Sequence, residues 1–162
     1  MEDPEFVPAV LRTVDEFGAD PENIVVELTE SILDVDTLVI KQSFELLKSK
    51  GIRIALDDFG TGNSSFWMLH NIDVDILKLD QTFIRGLGSS EKKIDFAIVE
   101  GVALMCERIG FLTVAEGVET RDIWEMISKF GFKGIQGYLF SRPVEKDAFE
   151  EQLDKYGMKL TV

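Results

Sequence analysis

The sequence predicts an α/β fold, five parallel strands with flanking helices, on three observations. Segments with helical spacing alternate with short apolar strands. Nearly every helical segment closes on a glycine, the residue that accepts the left-handed conformation of a helix C-terminus. The polar residues of the strands gather at their C-terminal ends. The first segment, "PEFVPAVLRTVDEFG", sets Phe6, Val10, Val14 and Phe17 on one face, with Pro8 tolerable in the first turn and Gly18 as stop. Strand "NIVVELTE" follows and ends in Glu27 and Glu30. Helix "DTLVIKQSFELLKSKG" stops at Gly51, and strand "IRIALDD" runs into Asp57 and Asp58, then a loop with Gly60, Thr61 and Gly62. A short helix, "SSFWMLHN", with His70 near its end, leads to strand "DILKLD" carrying Lys78 and Asp80. In "EKKIDFAIVEGVALMCERIG" the spacing assigns Ile94, Ile98, Val102, Met105 and Ile109 to the inward stripe. Strand "FLTVAEG" brings Glu116, with Glu119 just after it. Thr120 is placed as the N-cap of "TRDIWEMISKFG", whose inward residues are Ile123, Ile127 and Phe130. The fifth strand, "FKGIQGYLF", carries Gln136, and "EKDAFEEQLDKYG" closes the series with Phe149, Leu153 and Tyr156. Helices between successive strands call for right-handed βαβ units and a parallel sheet.

Composition narrows the function classes. A chain of 162 residues is long enough for one domain with a proper core. The formal net charge of −13 argues against a broad footprint for DNA or RNA duplexes or for an anionic membrane surface. No stretch is apolar for long enough to span a bilayer, and the acidic start "MEDPEFVP" lacks the features of a secretory signal. Cys106 is the single cysteine, so no internal disulfide forms, and a cytoplasmic location is expected. Its place in "VALMCERIG" is that of a buried helix residue, and one histidine builds no His-rich zinc site.

In a parallel α/β sheet the C-terminal strand ends share one rim, where such folds place their ligands. Glu27, Glu30, Asp57, Asp58, Lys78, Asp80, Glu116, Glu119 and Gln136 all fall there. Solvent contact explains polar residues at any one strand end. It does not explain four strands bringing carboxylates and one a lysine to the same small surface. Carboxylates at that density are costly unless neutralised. Oxygen-liganded divalent cations, Mg²⁺ or Mn²⁺ before zinc, are the fitting partners, and a pair of them is the clamp used on phosphodiesters.

The segments "VELTES", "IALDDFGTGNSS", "ILKLD", "TVAEGVET" and "IQGYLFSRP", in this order, resemble the EAL-domain phosphodiesterases, enzymes that hydrolyse cyclic di-GMP to its linear dinucleotide. The resemblance runs from about residue 3 to the C-terminal helix. It implies a TIM-like barrel, Mg²⁺ or Mn²⁺ as cofactor and cyclic di-GMP as ligand. It makes Glu27 a ligand of a first metal, Asp57 a bridge between two metals and Asp58 a ligand of the second. Lys78 would position the attacking water, and Glu116 would bind the second metal or assist proton transfer. Gln136 would contact the site from the last strand. Glu30 would hold the loop after Asp58, and Glu119 would order the loop after its own strand. For Glu30, Glu119 and Asp80 a structural role is the equal alternative.

Two departures set further expectations. Asn63 stands where the family loop usually has an aromatic residue, and Phe66 where it has leucine. The Glu-Ala-Leu tripeptide that names the family is absent from these residues, as is the upstream asparagine that completes the first metal site. The chain is therefore expected to hold the C-terminal two-thirds of the domain, a barrel without roughly its first three strands, with residues 1–162 forming one partial domain. Impaired catalysis and self-association through open sheet edges are expected with it. The alternative is a non-catalytic module binding cyclic di-GMP or a protein on the same scaffold.

Overall fold

The computed structural model describes residue 3 and residues 5–29, 37–62, 65–88 and 93–155. Its elements are α1 (Phe6–Phe17), a 3₁₀ turn (Pro21–Asn23), β1 (Val25–Leu28), α2 (Thr37–Ser49), β2 (Arg53–Phe59), α3 (Ser65–Asn71) and β3 (Ile76–Leu79). Then come α4 (Gln81–Gly86), α5 (Lys93–Ile109), β4 (Leu112–Ala115), α6 (Arg121–Lys129), β5 (Gly134–Ile135) and α7 (Lys146–Lys155). The five strands form one parallel sheet in chain order, β1 to β5. Strands paired in chain order with helices between them make the wall of a (β/α) barrel. β1 and β5 are its edges among the described residues.

β3 is buried along its whole length, which suits a central parallel strand covered on both faces. Leu28, Ile54, Leu56, Leu77 and Leu79 from the strands meet Ile40, Phe44, Leu47, Met68, Ile84, Val99, Cys106 and Ile127 from the helices in one core. Burial pushes the Cys106 thiol up to about 11, so it is an inert packing group as the sequence indicates. The cap glycines Gly18, Gly51, Gly110 and Gly131 are all left-handed, and Gly157 lies outside the described residues. Thr120 caps α6 by accepting a hydrogen bond from the Ile123 amide. His70 falls in the last turn of α3.

At the opposite, strand-entry end, the Lys48 ammonium at the end of α2 lies 2.7 Å from Asp73 Oδ2 and 2.9 Å from Asp75 Oδ1. The second Asp75 oxygen accepts the Ile54 amide of β2 at 2.8 Å. This staple ties α2, β2 and the approach to β3 together. Burial draws the Lys48 pKa down, but the two aspartates outweigh it and the net shift is upward. A folded-state lysine pKa above the unfolded one stabilises the fold at neutral pH, and the effect is lost as alkali passes the raised value. Lys48→Ala is expected to cost about 1–2 kcal/mol in urea denaturation at pH 7, with the difference from wild type shrinking in alkali.

Four expectations are corrected. In α5 the inward residues are Val99, Val102, Ala103 and Cys106, whereas Ile94 and Ile109 are 67% and 55% exposed. The stripe is turned from the one read off the isoleucines, because small residues (Ala103, Cys106) fit against the sheet more closely than Ile94 and Ile109 do. In α1, Val7 and Val14 are inward and Phe17 is 78% exposed at the last turn. β5 is two residues long, since Gly137 turns the chain directly after Gln136. In α7 no residue is fully buried: Phe149 is exposed and Leu153 half-buried, while Tyr156 lies outside the described residues.

Candidate functional site

The register between β2 and β3 carries the decisive local feature. Leu56 pairs with Leu77 and Phe59 with Leu79, so two residues of β2, Asp57 and Asp58, stand opposite one residue of β3, Lys78. That is a β-bulge, the device that re-aims a side chain at a strand end. It solves the problem of adjacent strand residues pointing to opposite faces. Asp58 itself adopts φ 54°, the one left-handed non-glycine residue among those described. The left-handed turn thus falls on the carboxylate-bearing residue itself, two residues ahead of Gly60. The Asp58 amide donates to Asp57 Oδ1, and the Asp58 carbonyl accepts both the amide and the hydroxyl of Thr61. These bonds hold a conformation that is sparsely populated for a residue with a Cβ.

Lys78 is the centre of the site. Its ammonium, buried to 7% side-chain exposure, lies 3.0 Å from Glu27 Oε1, 2.8 Å from Asp57 Oδ1 and 2.7 Å from Glu116 Oε1. Three neighbouring strand ends thus close on one side chain of β3. Oxygen atoms of Asp57, Asp58 and Glu116 lie within 4.8 Å of one another. Counted as ions, four carboxylates surround one ammonium, an excess of three negative charges.

The electrostatics express that excess. Burial, and then the charges of Asp57 and Asp80, hold the Asp58 pKa above the ordinary aspartate value. Burial also raises Glu116, and the negative Asp57 and Asp58 add to it against the pull of Lys78. Burial opposes the charged form of Lys78, yet the three carboxylates outweigh it and the pKa is raised. All three groups hold protons more tightly than in water, as expected where positive charge is in deficit. An all-oxygen trio with that deficit fits a hard divalent cation, so the donor set and the charge agree on the class of ion.

The remaining candidates take separate places. Glu119, outside the trio, pairs with Arg85 of α4 at 2.9 Å and ties the loop after β4 to that helix. Asp80 is buried, caps α4 by accepting the Thr82 amide and hydrogen-bonds Asp58. Gln136 contributes its backbone, accepting the Val118 amide and donating to the Ala115 carbonyl. Its residue also lines a cavity of about 190 Å³ with Gln81, Arg85, Glu116 and Tyr138. An apolar cavity of about 640 Å³ adjoins it, sharing Gln136, Gly137 and Tyr138, with Arg142 stacked over the Tyr138 ring at 4.5 Å. Glu30 and Asn63 lie outside the described residues. Arg85 and α4 itself escaped the sequence reading. The Asp-x-Thr spacing of an N-cap in "LDQTF" is the signal that marks the helix.

Gly137 couples this loop to the trio. A Cβ there would sit 2.3 Å from the Val118 carbonyl oxygen and 2.4 Å from its amide nitrogen, at φ 155°. Backbone cannot yield as a flexible side chain does. Gly137→Ala is expected to destabilise the fold by about 2–4 kcal/mol, read by thermal or urea unfolding. Val118 is two residues from Glu116, so divalent-cation affinity should fall in the same variant.

Similarity to known proteins agrees with this geometry. A cyclic di-GMP phosphodiesterase of Pseudomonas aeruginosa is 32% identical over 153 residues, 94% of this chain and 26% of that protein. The EAL domain of Mycobacterium smegmatis DcpA superposes with a TM-score of 0.86 at 32% identity, covering 98% of this chain and 69% of the other. Klebsiella pneumoniae BlrP1, solved with manganese and cyclic di-GMP, gives 0.78 at 32% identity, over 87% of this chain and 36% of that one. The chain spans about a quarter of the length of the curated relatives it matches. With the EAL domain matched over residues 1–143, on a parallel sheet whose rim carries these acids and this lysine, the chain belongs to the EAL-domain family.

Proposed function

We propose that this chain acts on cyclic di-GMP as a phosphodiesterase, opening it to linear pGpG with divalent cations, Mg²⁺ or Mn²⁺. The carrying observation is Asp57, Asp58 and Glu116 gathered on the rim with the buried Lys78 among them. Asp57, Asp58 and Glu116 would hold metal, and Glu27 would add a donor from β1. Divalent ions held there would supply Lewis-acid charge against the phosphodiester and acidify a coordinated water.

The chain's own residues do the rest. In the balanced reaction one water oxygen bonds to phosphorus, one bridging P–O bond breaks, and the departing sugar oxygen takes up a proton. Lys78 presents a fixed ammonium that hydrogen-bonds and orients the attacking water and opposes its charge. Glu116, raised in pKa, is placed to carry the proton. Arg85 and Glu119 hold the loop that carries Glu116 against α4. The polar cavity beside Glu116 and the apolar one beyond Gln136 offer room for phosphate and purine portions of the dinucleotide. No helix among the described residues is long and apolar enough to cross a membrane. The location proposed is cytoplasmic, and self-association is part of the proposal.

The test is incubation with cyclic di-GMP and Mn²⁺ or Mg²⁺, followed by chromatography for pGpG. Product that disappears with Asp57→Asn supports the assignment. Calorimetric binding of intact cyclic di-GMP without product would select a non-catalytic binding module. Neither product nor binding would overturn both.

A further inference from the structure

The ion pair of Arg85 and Glu119 is more than the fold requires. Arg85 Nη2 meets Glu119 Oε1 at 2.9 Å, with the two side chains 57% and 44% exposed. A pair that open to water adds little to holding a loop. The loop after β4 is already fixed by its backbone. A Cβ on Gly117 would lie 2.5 Å from the Gln81 Cβ, so the loop is pressed onto the start of α4. On its other side the Val118 amide donates to the Gln136 carbonyl at 3.1 Å, and the Val118 carbonyl accepts the Leu139 amide at 3.0 Å. The pair stands on this rigid frame and lines the cavity of about 190 Å³ beside Glu116, with Tyr138 as a further wall. Among the described residues its contact engages one nitrogen and one oxygen. The second carboxylate oxygen and the other guanidinium N–H groups are left to bond a ligand.

We infer that Arg85 and Glu119 together form a guanine-recognition subsite, an inference that rests on the proposed action on cyclic di-GMP and names the groups that select its base. Around one edge guanine presents N2–H, N1–H, O6 and N7, two donors followed by two acceptors. A carboxylate beside a guanidinium presents the complement, two acceptors followed by two donors. Glu119 takes N1–H and N2–H, and Arg85 takes O6 and N7. Adenine presents one donor, N6, between two acceptors, with a C–H where guanine carries N2. It therefore satisfies only half of the pair and leaves the rest unbonded. The exposed Tyr138 ring, where the polar cavity meets the apolar one, is the surface on which the purine stacks. Phosphate is the poorer occupant. Glu116 and Glu119 outnumber Arg85 in this cavity, and with Glu116 neutralised by metal the remaining pair has no surplus positive charge. One guanine of the cyclic dinucleotide takes the subsite while a phosphodiester lies toward Glu116.

Rapid filter binding in Mn²⁺, on ice, tests this with cyclic di-GMP and with its analogues carrying adenine or hypoxanthine in place of guanine; hypoxanthine lacks only the N2 amine. Wild type is expected to bind cyclic di-GMP about a hundredfold more tightly than the adenine analogue and about tenfold more tightly than the hypoxanthine one. Glu119→Gln keeps a hydrogen bond to Arg85 but loses one acceptor, so the preference for guanine over hypoxanthine should vanish. Arg85→Lys keeps the charge but loses the planar fork. Guanine and hypoxanthine should then both weaken about tenfold, with adenine little changed. A pair that served only to tie the loop would weaken all three dinucleotides alike and lower the Mn²⁺ thermal shift with them. That uniform loss overturns the inference and leaves the proposed function standing. So does wild-type protein indifferent to the base, or a base preference that survives both substitutions. Wild type that binds none of the three overturns both.

Discussion

Replacing Lys78 by methionine is expected to cost about 2–4 kcal/mol of stability at pH 8 and about a thousandfold or more of any phosphodiesterase turnover. Methionine keeps most of the length of the stem and removes the ammonium. What remains is Asp57 and Glu116, with side chains 19% and 14% exposed, and the more open Glu27, all without the cation that each contacts at 3.0 Å or less. Glu27 can turn to water; the other two are held by neighbouring strands. The cost therefore comes mainly from two charges left half-desolvated. Its pH dependence follows from Glu116, already raised by burial while Lys78 pulls it down. Without Lys78 it rises further, and a raised carboxyl pKa penalises the folded state above that value. The penalty fades as acid protonates the group. Saturating Mn²⁺ should recover part of the lost stability, since it supplies the missing positive charge. Urea titrations at pH 8 and pH 5, with and without Mn²⁺, decide the matter. A loss unchanged by both acid and metal would mean that Lys78 matters as packing volume, not as the counter-ion of this rim.

The sheet and its rim were legible because strands advertise themselves by short apolar runs and by what terminates them. Lys78, Asp57 and Glu116 meet because β2, β3 and β4 are adjacent in chain order, which short alternating segments predict. The α5 face was not legible from periodicity, because isoleucines at i and i+4 read as core wherever they point. Which side faces the sheet depends on how closely Ala103 and Cys106 approach it, a tertiary fact. β5 is shorter than its composition implies for a similar reason: "IQGYLF" has strand composition, but Gly137 turns against the Val118 backbone. The left-handed Asp58 was invisible because nothing local demands it. It is imposed by the bulge, and a bulge belongs to two strands at once.

The charge excess gives Asp58→Asn an unusual expected result: a variant as stable as wild type or slightly more so at neutral pH, by a few tenths of a kcal/mol because solvent screens this exposed carboxylate, with any phosphodiesterase turnover down about a thousandfold. Asparagine tolerates the left-handed region as aspartate does, so the bulge keeps its geometry. The side chain keeps one acceptor and loses its charge. Removing that charge relieves repulsion with Asp57 and with Asp80, to which Asp58 is hydrogen-bonded. The sign follows from the raised pKa. The folded state holds the Asp58 proton more tightly than the unfolded chain, so ionisation destabilises the fold as pH rises through that value. Asparagine does not ionise, and its advantage should grow from acid to neutral pH. Asp58→Ala separates the two contributions, because alanine loses the charge but not the backbone strain, and it should fall below the asparagine variant. Melting curves from pH 4 to pH 8, with a Mn²⁺ titration followed by thermal shift, read all of this at once. If Asp58→Asn is less stable than wild type and the deficit widens toward neutral pH, the ionised carboxylate is stabilised by neighbours and the rim has no charge excess to offer a cation. If it is more stable and the Mn²⁺ shift shrinks, the cost of Asp58 in the folded chain is the cost of keeping a metal ligand ready.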